Sequence, residues 1–182
     1  MHVAGIARRR WLMASKMPAR IVRYAALVFG LLCSPYSLAL TDCSVSATPM
    51  VFGEFDPDGP DFDGDSGQIT VSCRVVTAPI PGTVAYNIAF SPGNSGSYSP
   101  RRLQNGAYSL RYNLFTAITR SAGQIWGDGT AGTVMLSGQV SGFAQVGDTR
   151  ATDHIIYGRI AGSQAPVAVG SYGDSLVITL SY

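Results

Sequence analysis

Apolar and polar residues alternate in short segments along most of the chain after residue 40. Six segments show this pattern: residues 45–52, 69–75, 84–90, 108–114, 133–140 and 154–160. A period of two residues is that of a β-strand with one buried face. We therefore predict a strand in each segment.

A seventh segment, residues 171–182, alternates most cleanly. Four apolar residues share one face of it: Leu176, Ile178, Leu180 and Tyr182. A strand with one apolar face needs a neighbour at each backbone edge. No further strand is expected after it, so we expect this strand to receive a partner strand from another molecule. Alternation alone does not separate such an acceptor groove from the ordinary core of a complete sandwich, and both interpretations stay open.

Turn-forming residues separate the predicted strands. They lie at residues 79–82, 92–96, 105–106 and 128–129. The Asn-Gly and Asp-Gly pairs among them favour the positive φ angles of tight hairpin turns. About seven short strands with this spacing predict an all-β protein with an immunoglobulin-like β-sandwich. No linker or repeat divides residues 40–182, so we expect a single domain there.

Residues 1–39 have the composition of an export signal. Basic residues precede an apolar segment at residues 25–33, and Ser37 and Ala39 are the small residues that a signal peptidase requires. We predict cleavage after Ala39, although translation could start at an internal methionine of this leader. The apolar segment is too short for a comfortable membrane span, so we expect no stable membrane anchor.

Removal of the predicted leader reverses the sign of the net charge. The full chain has 13 Lys and Arg against 11 Asp and Glu, whereas residues 40–182 keep seven arginines and all 11 acidic residues. The basic character therefore belongs to the leader. Nucleic-acid binding loses its electrostatic support, and we expect no nucleic-acid partner.

Two cysteines remain after the leader, Cys43 and Cys73. In an oxidising compartment an isolated pair most often forms a disulfide. Closing a loop of this length would stabilise the fold by about 3.6 kcal/mol on the loop-entropy model. A two-cysteine metal site is the alternative, but His154 is the only histidine that could join it.

Eight segments follow one another in an order that is typical of one family: CSVS at 43–46, FGEFDP at 52–57, GQITVSC at 67–73, GSYSPRRL at 96–103, LRYNLF at 110–115, WGDGT at 126–130, YGRI at 157–160 and GSYGDSLVITL at 170–180. Together they resemble the spore coat protein U family, which includes secreted pilin subunits of the archaic chaperone–usher pathway. The resemblance implies an immunoglobulin-like sandwich that lacks its last strand, with no enzymatic activity and no cofactor.

The resemblance also implies partners. In such pilins a periplasmic chaperone lends a strand to the open groove, and an outer-membrane usher exchanges it for the N-terminal extension of the next pilin subunit. In this chain, the groove edges would be residues 176–182 and 45–52. Leu176, Ile178 and Leu180 would line it. We expect a route through the periplasm to the cell surface.

One departure from the family bears on the role of the chain. Only residues 40–42 separate the predicted cleavage site from Cys43. A donor strand needs about ten residues of alternating sequence. We therefore expect a terminal or minor pilus subunit, or a secreted coat component that does not polymerise.

An acidic segment gives a weak metal candidate. Asp61, Asp63 and Asp65 alternate like the carboxylates of a calcium loop. Ser66 occupies the position of the loop glycine, and Ser72 occupies that of the closing glutamate. A solvated acidic turn without metal is the alternative that we favour.

Two further motifs suggest chemistry without its usual context. Residues 127–132 match G-x-G-x-x-G, but no helix is predicted after them, as nucleotide binding would require. His154 with Asp153 could belong to a secreted hydrolase, yet no G-x-S-x-G motif is present. Arg101 and Arg102 are expected in a solvated turn.

Aromatic residues provide the alternative function, an adhesin or a carbohydrate-binding module. The candidates are Tyr98, Tyr108, Tyr112, Tyr157 and Trp126. Such residues form the core of a sandwich more often than a binding surface. The structural role is therefore the preferred interpretation.

Overall fold

The computed structural model describes the backbone of residues 2–7, and residues 41–64 and 66–182 in full. Its ten strands are β1 (His2–Ala7), β2 (Thr41–Thr48), β3 (Phe62–Asp63), β4 (Gly67–Val75), β5 (Thr83–Phe90), β6 (Arg101–Asn105), β7 (Tyr108–Phe115), β8 (Leu136–Ser141), β9 (Thr149–Ile160) and β10 (Ser175–Ser181). One short 3₁₀ turn, Ala122–Gln124, lies between β7 and β8. Within the described residues, no helix has the length and apolar character to cross a membrane.

The strands form two sheets. Sheet I has the order β1-β10-β5-β8, and sheet II has the order β2-β4-β9-β7-β6, with β3 paired to β9. Every strand pair is antiparallel except β1 with β10, which is parallel. The prediction of an all-β, immunoglobulin-like β-sandwich is confirmed.

The core lies between the two sheets. Ile88 and Phe90 of β5 belong to the same buried cluster as Val71 of β4 and Leu114 of β7. Trp126 is fully buried among them, and its indole N–H donates to the carbonyl of Ile88 at 2.9 Å. The inward residues of each strand are therefore the apolar positions of the alternating pattern.

Three predicted strands match closely, and others begin or end elsewhere. Residues 69–75, 84–90 and 108–114 correspond to β4, β5 and β7 within two residues at each end. The first strand was expected at residues 45–52, but β2 ends at Thr48 because Pro49 has no N–H to donate to a ladder.

The sequence pattern missed β6, where a solvated turn was expected at Arg101. That expectation is wrong, because Arg101 starts the strand and its side chain is 0% exposed. The Asn-Gly turn prediction is confirmed. Asn105 pairs with Tyr108 across a two-residue hairpin, in which Gly106 has a φ of 58°.

The predicted disulfide is confirmed. Cys43 on β2 faces Cys73 on β4 in the antiparallel register, and the two sulfurs are bonded. Both residues are buried in the core. The bridge therefore ties the edge strand of sheet II to its neighbour.

Most of the predicted signal peptide, residues 1 and 8–39, lies outside the described residues. The exception is β1, which spans residues 2–7. The predicted cleavage after Ala39 remains a prediction.

Candidate functional site

The two backbone edges of β10 have different partners. On one edge, β10 pairs antiparallel with β5, from Ile178 opposite Phe90 to Ser181 opposite Asn87. On the other edge, it pairs in parallel with β1, from His2 opposite Ser175 onward. Among the described residues, sheet I therefore continues beyond β10 only through the strand at residues 2–7.

Ser91, the residue after β5, binds β10 at Val177, on the edge that faces β5. The Ser91 N–H donates to the carbonyl of Val177, and the Val177 N–H donates to the Ser91 hydroxyl, both at 2.9 Å. The ladder with β5 begins only at Ile178. Side-chain hydrogen bonding thus extends the pairing by one residue.

Asp174 anchors the turn that leads into β10. Its carboxylate accepts the N–H groups of Asn94 and Ser175, each at 2.8 Å, and the hydroxyl of Tyr112 at 2.6 Å. Gly93 is required here, because its φ is +76° and a Cβ would lie 2.1 Å from an Asp174 carboxylate oxygen. Burial, with the bond to Asp174, raises the pKa of Tyr112 well above its usual range.

Arg101 links the same region to the core. Its Nε and Nη2 donate to the carbonyl of Ser91, and Nη2 also donates to the carbonyl of Trp126 at 2.7 Å. The guanidinium lies 4.9 Å from the centre of the Tyr98 ring. Burial lowers the pKa of Arg101. Ser91, Arg101, Tyr112 and Asp174 are called the buried polar cluster below.

Tyr98 completes the surroundings of Arg101. Its hydroxyl donates to the carbonyl of Phe90 at 3.0 Å. Burial and the nearby carboxylate of Asp128 raise the pKa of Tyr98 to about 12. Among the described residues, no buried side-chain nitrogen or oxygen lacks a hydrogen-bond partner.

The predicted acceptor residues divide into two groups. Leu176, Ile178 and Leu180 are at most 1% exposed and belong to the core. Tyr182 follows the end of β10 and is 37% exposed. β1 lies beside β2 as well as β10, so it occupies the space between the two strands that were expected to border the groove.

A cavity of about 690 Å³ lies at one end of this space. It is bordered by residues 50–57, which follow β2, and by residues 167–172, which precede β10. Leu103, Leu110 and Ile160 of sheet II contribute to its lining. Its walls are mainly apolar side chains with backbone groups between them.

Two of the candidate calcium residues, Asp61 and Asp63, take part in ion pairs. Asp63 accepts a hydrogen bond from Arg159 Nε at 2.6 Å and forms an ion pair with Arg120 Nη1 at 3.1 Å. The hydrogen bond from Arg159 lowers the pKa of Asp63. Asp61 lies 3.8 Å from Arg159 and accepts the N–H of Gly162. Asp61, Asp63, Arg120 and Arg159 are called the surface ion-pair cluster below.

The calcium site at Asp61, Asp63 and Asp65 stays a prediction. Asp65, its third residue, lies outside the described residues. In the described part of the chain, no three His, Cys, Asp or Glu side chains are grouped closely enough to hold a metal ion.

The aromatic candidates do not form one surface. Trp126 and Tyr112 are buried in the core, so their assignment to a carbohydrate-binding surface is wrong. Tyr108 is 50% exposed, and Tyr98 and Tyr157 are partly buried. A concave aromatic site would need these rings on one exposed face.

His154 has no catalytic arrangement in the described structure. Its Nε2 lies 2.7 Å from the hydroxyl of Tyr86, and burial lowers its pKa. Asp153 accepts from the hydroxyl of Thr70 rather than from His154. The G-x-G-x-x-G segment forms a local turn, in which the Asp128 carboxylate accepts from the N–H and the hydroxyl of Thr130.

Comparison with known proteins gives one family match. The family model described as "Spore Coat Protein U domain" matches residues 31–179. No curated protein matches this chain.

One similar solved structure is a chain in the crystal structure of the CsuC-CsuE chaperone-tip adhesion subunit pre-assembly complex from archaic chaperone-usher Csu pili of Acinetobacter baumannii. The identity is 16% and the TM-score is 0.47. The match covers 79% of this chain and 40% of the other chain. At that TM-score we draw no conclusion from the likeness.

Proposed function

Because this chain belongs to the spore coat protein U domain family, we propose that it is a non-enzymatic structural subunit of a surface pilus or a related secreted coat, completed by a strand from another protein. The observation that carries the proposal is the partner of β10. That partner is β1, and residues 2–7 lie within the predicted leader.

Cleavage of the leader would open one edge of sheet I. The backbone of residues 175–180 would lose its parallel partner, and the apolar face of Leu176, Ile178 and Leu180 would lose the strand beside it. An unpaired edge next to an apolar face binds foreign strands or aggregates. A donated strand that restores the ladder would remove both problems.

The acceptor residues of this proposal are Leu176, Ile178, Leu180 and Tyr182. The first three would contact the side chains of the incoming strand, since they point into the space between the sheets. Tyr182 would lie at the rim. The cavity bordered by residues 50–57 and 167–172 leaves room for a strand longer than β1.

The partners follow from the same mechanism. A periplasmic chaperone would supply the strand first, and a neighbouring pilin subunit would replace it at an outer-membrane usher. The route would lead through the periplasm to the cell surface. With cleavage after Ala39, too few residues precede Cys43 to form a donor strand, which supports a terminal or minor position in the assembly.

The test compares residues 40–182 alone with the same residues followed by a flexible linker and the β1 sequence. A linker of about 15 Gly and Ser residues can span the roughly 20 Å needed to return a parallel strand of six residues. We expect the fused protein to be a monomer with a higher melting temperature. The control carries proline at alternate positions of the added strand, which removes its ladder donors.

Hydrogen exchange at residues 175–180 provides the second measurement. We expect these amides to be protected in the fused protein and to exchange faster in residues 40–182 alone and in the proline control. A stable monomer of residues 40–182 with the same protection as the fused protein would contradict strand acceptance. N-terminal sequencing of the secreted chain would test the proposed terminal position, which a retained donor segment would exclude.

A further inference from the structure

The outer face of sheet II carries two arginines that no described carboxylate neutralises. Arg102 on β6 and Arg111 on β7 lie directly opposite each other in the antiparallel register, and both are exposed. The ion pairs of the described residues include neither of them. Like charges in directly opposed positions destabilise a sheet. An anion bound between them would relieve that repulsion.

Arg111 is held in one position by Gln164. The amide oxygen of Gln164 accepts from the backbone N–H of Arg111 at 2.6 Å and from its Nε at 3.2 Å. The amide nitrogen donates back to the carbonyl of Arg111. Neither terminal nitrogen of Arg111 makes a hydrogen bond within the described structure. A guanidinium fixed at its base with free terminal donors is preorganised for a carboxylate or a sulfate.

A small cavity of about 140 Å³ lies beside Arg111. The residues that line it include Arg111, Arg159, Pro100 and Asn113. Its surface is mostly apolar, and its volume suits a single ring-sized group.

Asp61 also borders the cavity, and its charge opposes that of a bound anion. Its carboxylate lies 3.8 Å from Arg159 and accepts the N–H of Gly162. Because Arg159 and Asp61 face each other, the uncompensated positive charge lies on the side of Arg111 and Arg102. An anion would therefore bind at that side, with the attached ring in the cavity.

We propose that Arg102, Arg111 and this cavity form a binding site for an acidic polysaccharide, which contributes one carboxylated or sulfated sugar ring. The sugar's anionic group would accept from both guanidiniums, and the apolar face of its ring would cover the apolar cavity. Arg111 lies on β7, which is flanked by β6 and β9, so an acidic peptide would find no strand edge at Arg111. β6, which carries Arg102, is the edge strand of sheet II, and the poly-aspartate probe below tests peptide binding there. The site does not depend on strand acceptance by β10.

The test measures binding to the full exported chain in its strand-complemented or chaperone-bound form. The probes are an oligogalacturonate, a sulfated heparin oligosaccharide of equal length, a neutral malto-oligosaccharide and a poly-aspartate peptide. We expect binding of at least one acidic oligosaccharide at low salt, weakening as salt rises, and none of the neutral one. The stronger of the two acidic probes identifies the anion.

Variants assign the binding to this site. R111Q is expected to weaken binding of the acidic oligosaccharide at least about tenfold, since a charge-assisted bidentate contact is lost. R102Q is expected to weaken it less, and Q164A is expected to do so by freeing the Arg111 side chain. R111K should not restore the affinity, because lysine lacks the planar fork. R74Q, on β4 of the same sheet, is the matched control and should bind like the unaltered chain.

Three outcomes would overturn the proposal: no binding of either acidic oligosaccharide at low salt, an equal loss with R74Q, or binding of poly-aspartate alone. The last would indicate a protein partner. Because Arg102 and Arg111 are exposed and repel each other, R102Q and R111Q should unfold at a urea concentration no lower than that of the unaltered chain. Affinity losses in folded variants therefore report on the site.

Discussion

The buried polar cluster and the surface ion-pair cluster both contain arginine and aspartate, but in opposite surroundings. In the surface cluster, two arginines share the partly exposed carboxylate of Asp63. In the buried cluster, Arg101 is fully enclosed and donates to backbone carbonyls, and no described carboxylate lies within ion-pair distance of it. Burial, rather than the number of opposite charges, sets how much each cluster contributes to stability.

The difference also concerns position. The buried cluster holds the beginning of β10 through Ser91 and Asp174, whereas the surface cluster joins β3 to β9 at the outside of sheet II. Substitutions in the buried polar cluster should therefore destabilise the proposed acceptor strand, β10. Substitutions in the surface ion-pair cluster should leave β10 unchanged.

Arg101→Ala should produce the largest effect. It leaves the carbonyls of Ser91 and Trp126 without their donors and opens a cavity, so we expect the free energy of unfolding to fall by about 3–5 kcal/mol. Urea unfolding of the strand-complemented chain measures this. Arg102→Ala, on the neighbouring exposed position, is the control and should change stability by at most about 0.5 kcal/mol. Equal effects of the two variants would refute the assigned importance of burial.

Tyr112→Phe should have the next largest effect. The change removes the hydroxyl that donates to Asp174 and leaves a buried carboxylate oxygen unpaired, at a cost of about 1–3 kcal/mol. Hydrogen exchange should rise more at residues 175–177 than at residues 178–181, where the ladder with β5 persists. Tyr108→Phe, at an exposed ring, should alter neither measurement. A uniform rise along β10 would contradict the local role.

His154 is intermediate in burial between the buried polar cluster and the surface ion-pair cluster, and its ring is hydrogen-bonded to Tyr86. Burial lowers its pKa, so the unfolded chain binds a proton more readily than the folded chain does. Stability should be complete above the usual histidine pKa of about 6.5 and should fall as the pH drops below it. The limiting slope for one proton is about 1.4 kcal/mol per pH unit. Urea unfolding of the strand-complemented chain at pH 7.5 and 5.5 measures this slope, and the part that is lost in His154→Gln is the contribution of His154.

Asp63→Asn should have the smallest effect. Exposed ion pairs contribute about 0.2–1 kcal/mol, and salt screens them. Because Arg159 lowers the pKa of Asp63, its contribution is present above the usual aspartate pKa of about 3.9 and is lost as the pH falls through the lower, folded value. Stability at neutral pH with and without added salt should show a small difference that disappears in the variant. A decrease in the free energy of unfolding as large as that of Arg101→Ala would contradict the claim that burial sets the contribution of each cluster.

The alternating apolar pattern predicted most of the fold. β4, β5 and β7 were predictable because their inward residues are all apolar, as in Ile69, Val71 and Val75. β6 was not, because Arg101 is a charged residue that points inward. Its partners, the carbonyls of Ser91 and Trp126, are 10 and 25 residues away. No local pattern reports such contacts.

The candidate site was predictable in part. The apolar face of Leu176, Ile178 and Leu180 follows from periodicity, and all three residues are buried. The roles of Asp174 and Ser91 do not, since single polar residues in turns carry no periodic signal. The strand at residues 2–7 was also missed, because those residues were assigned to a leader rather than to the sandwich.

The order of strands in sheet I has a consequence for folding kinetics. β10 pairs with β5, and this ladder joins residues about 90 positions apart in the chain. Sheet II contains the local β6–β7 hairpin and can begin to form much earlier during synthesis. We therefore expect sheet I to close last and slowly, because distant pairings require the closure of long loops before any contact is gained. During that interval the inner face of sheet II would be uncovered, which is the period in which a chaperone would protect the chain most.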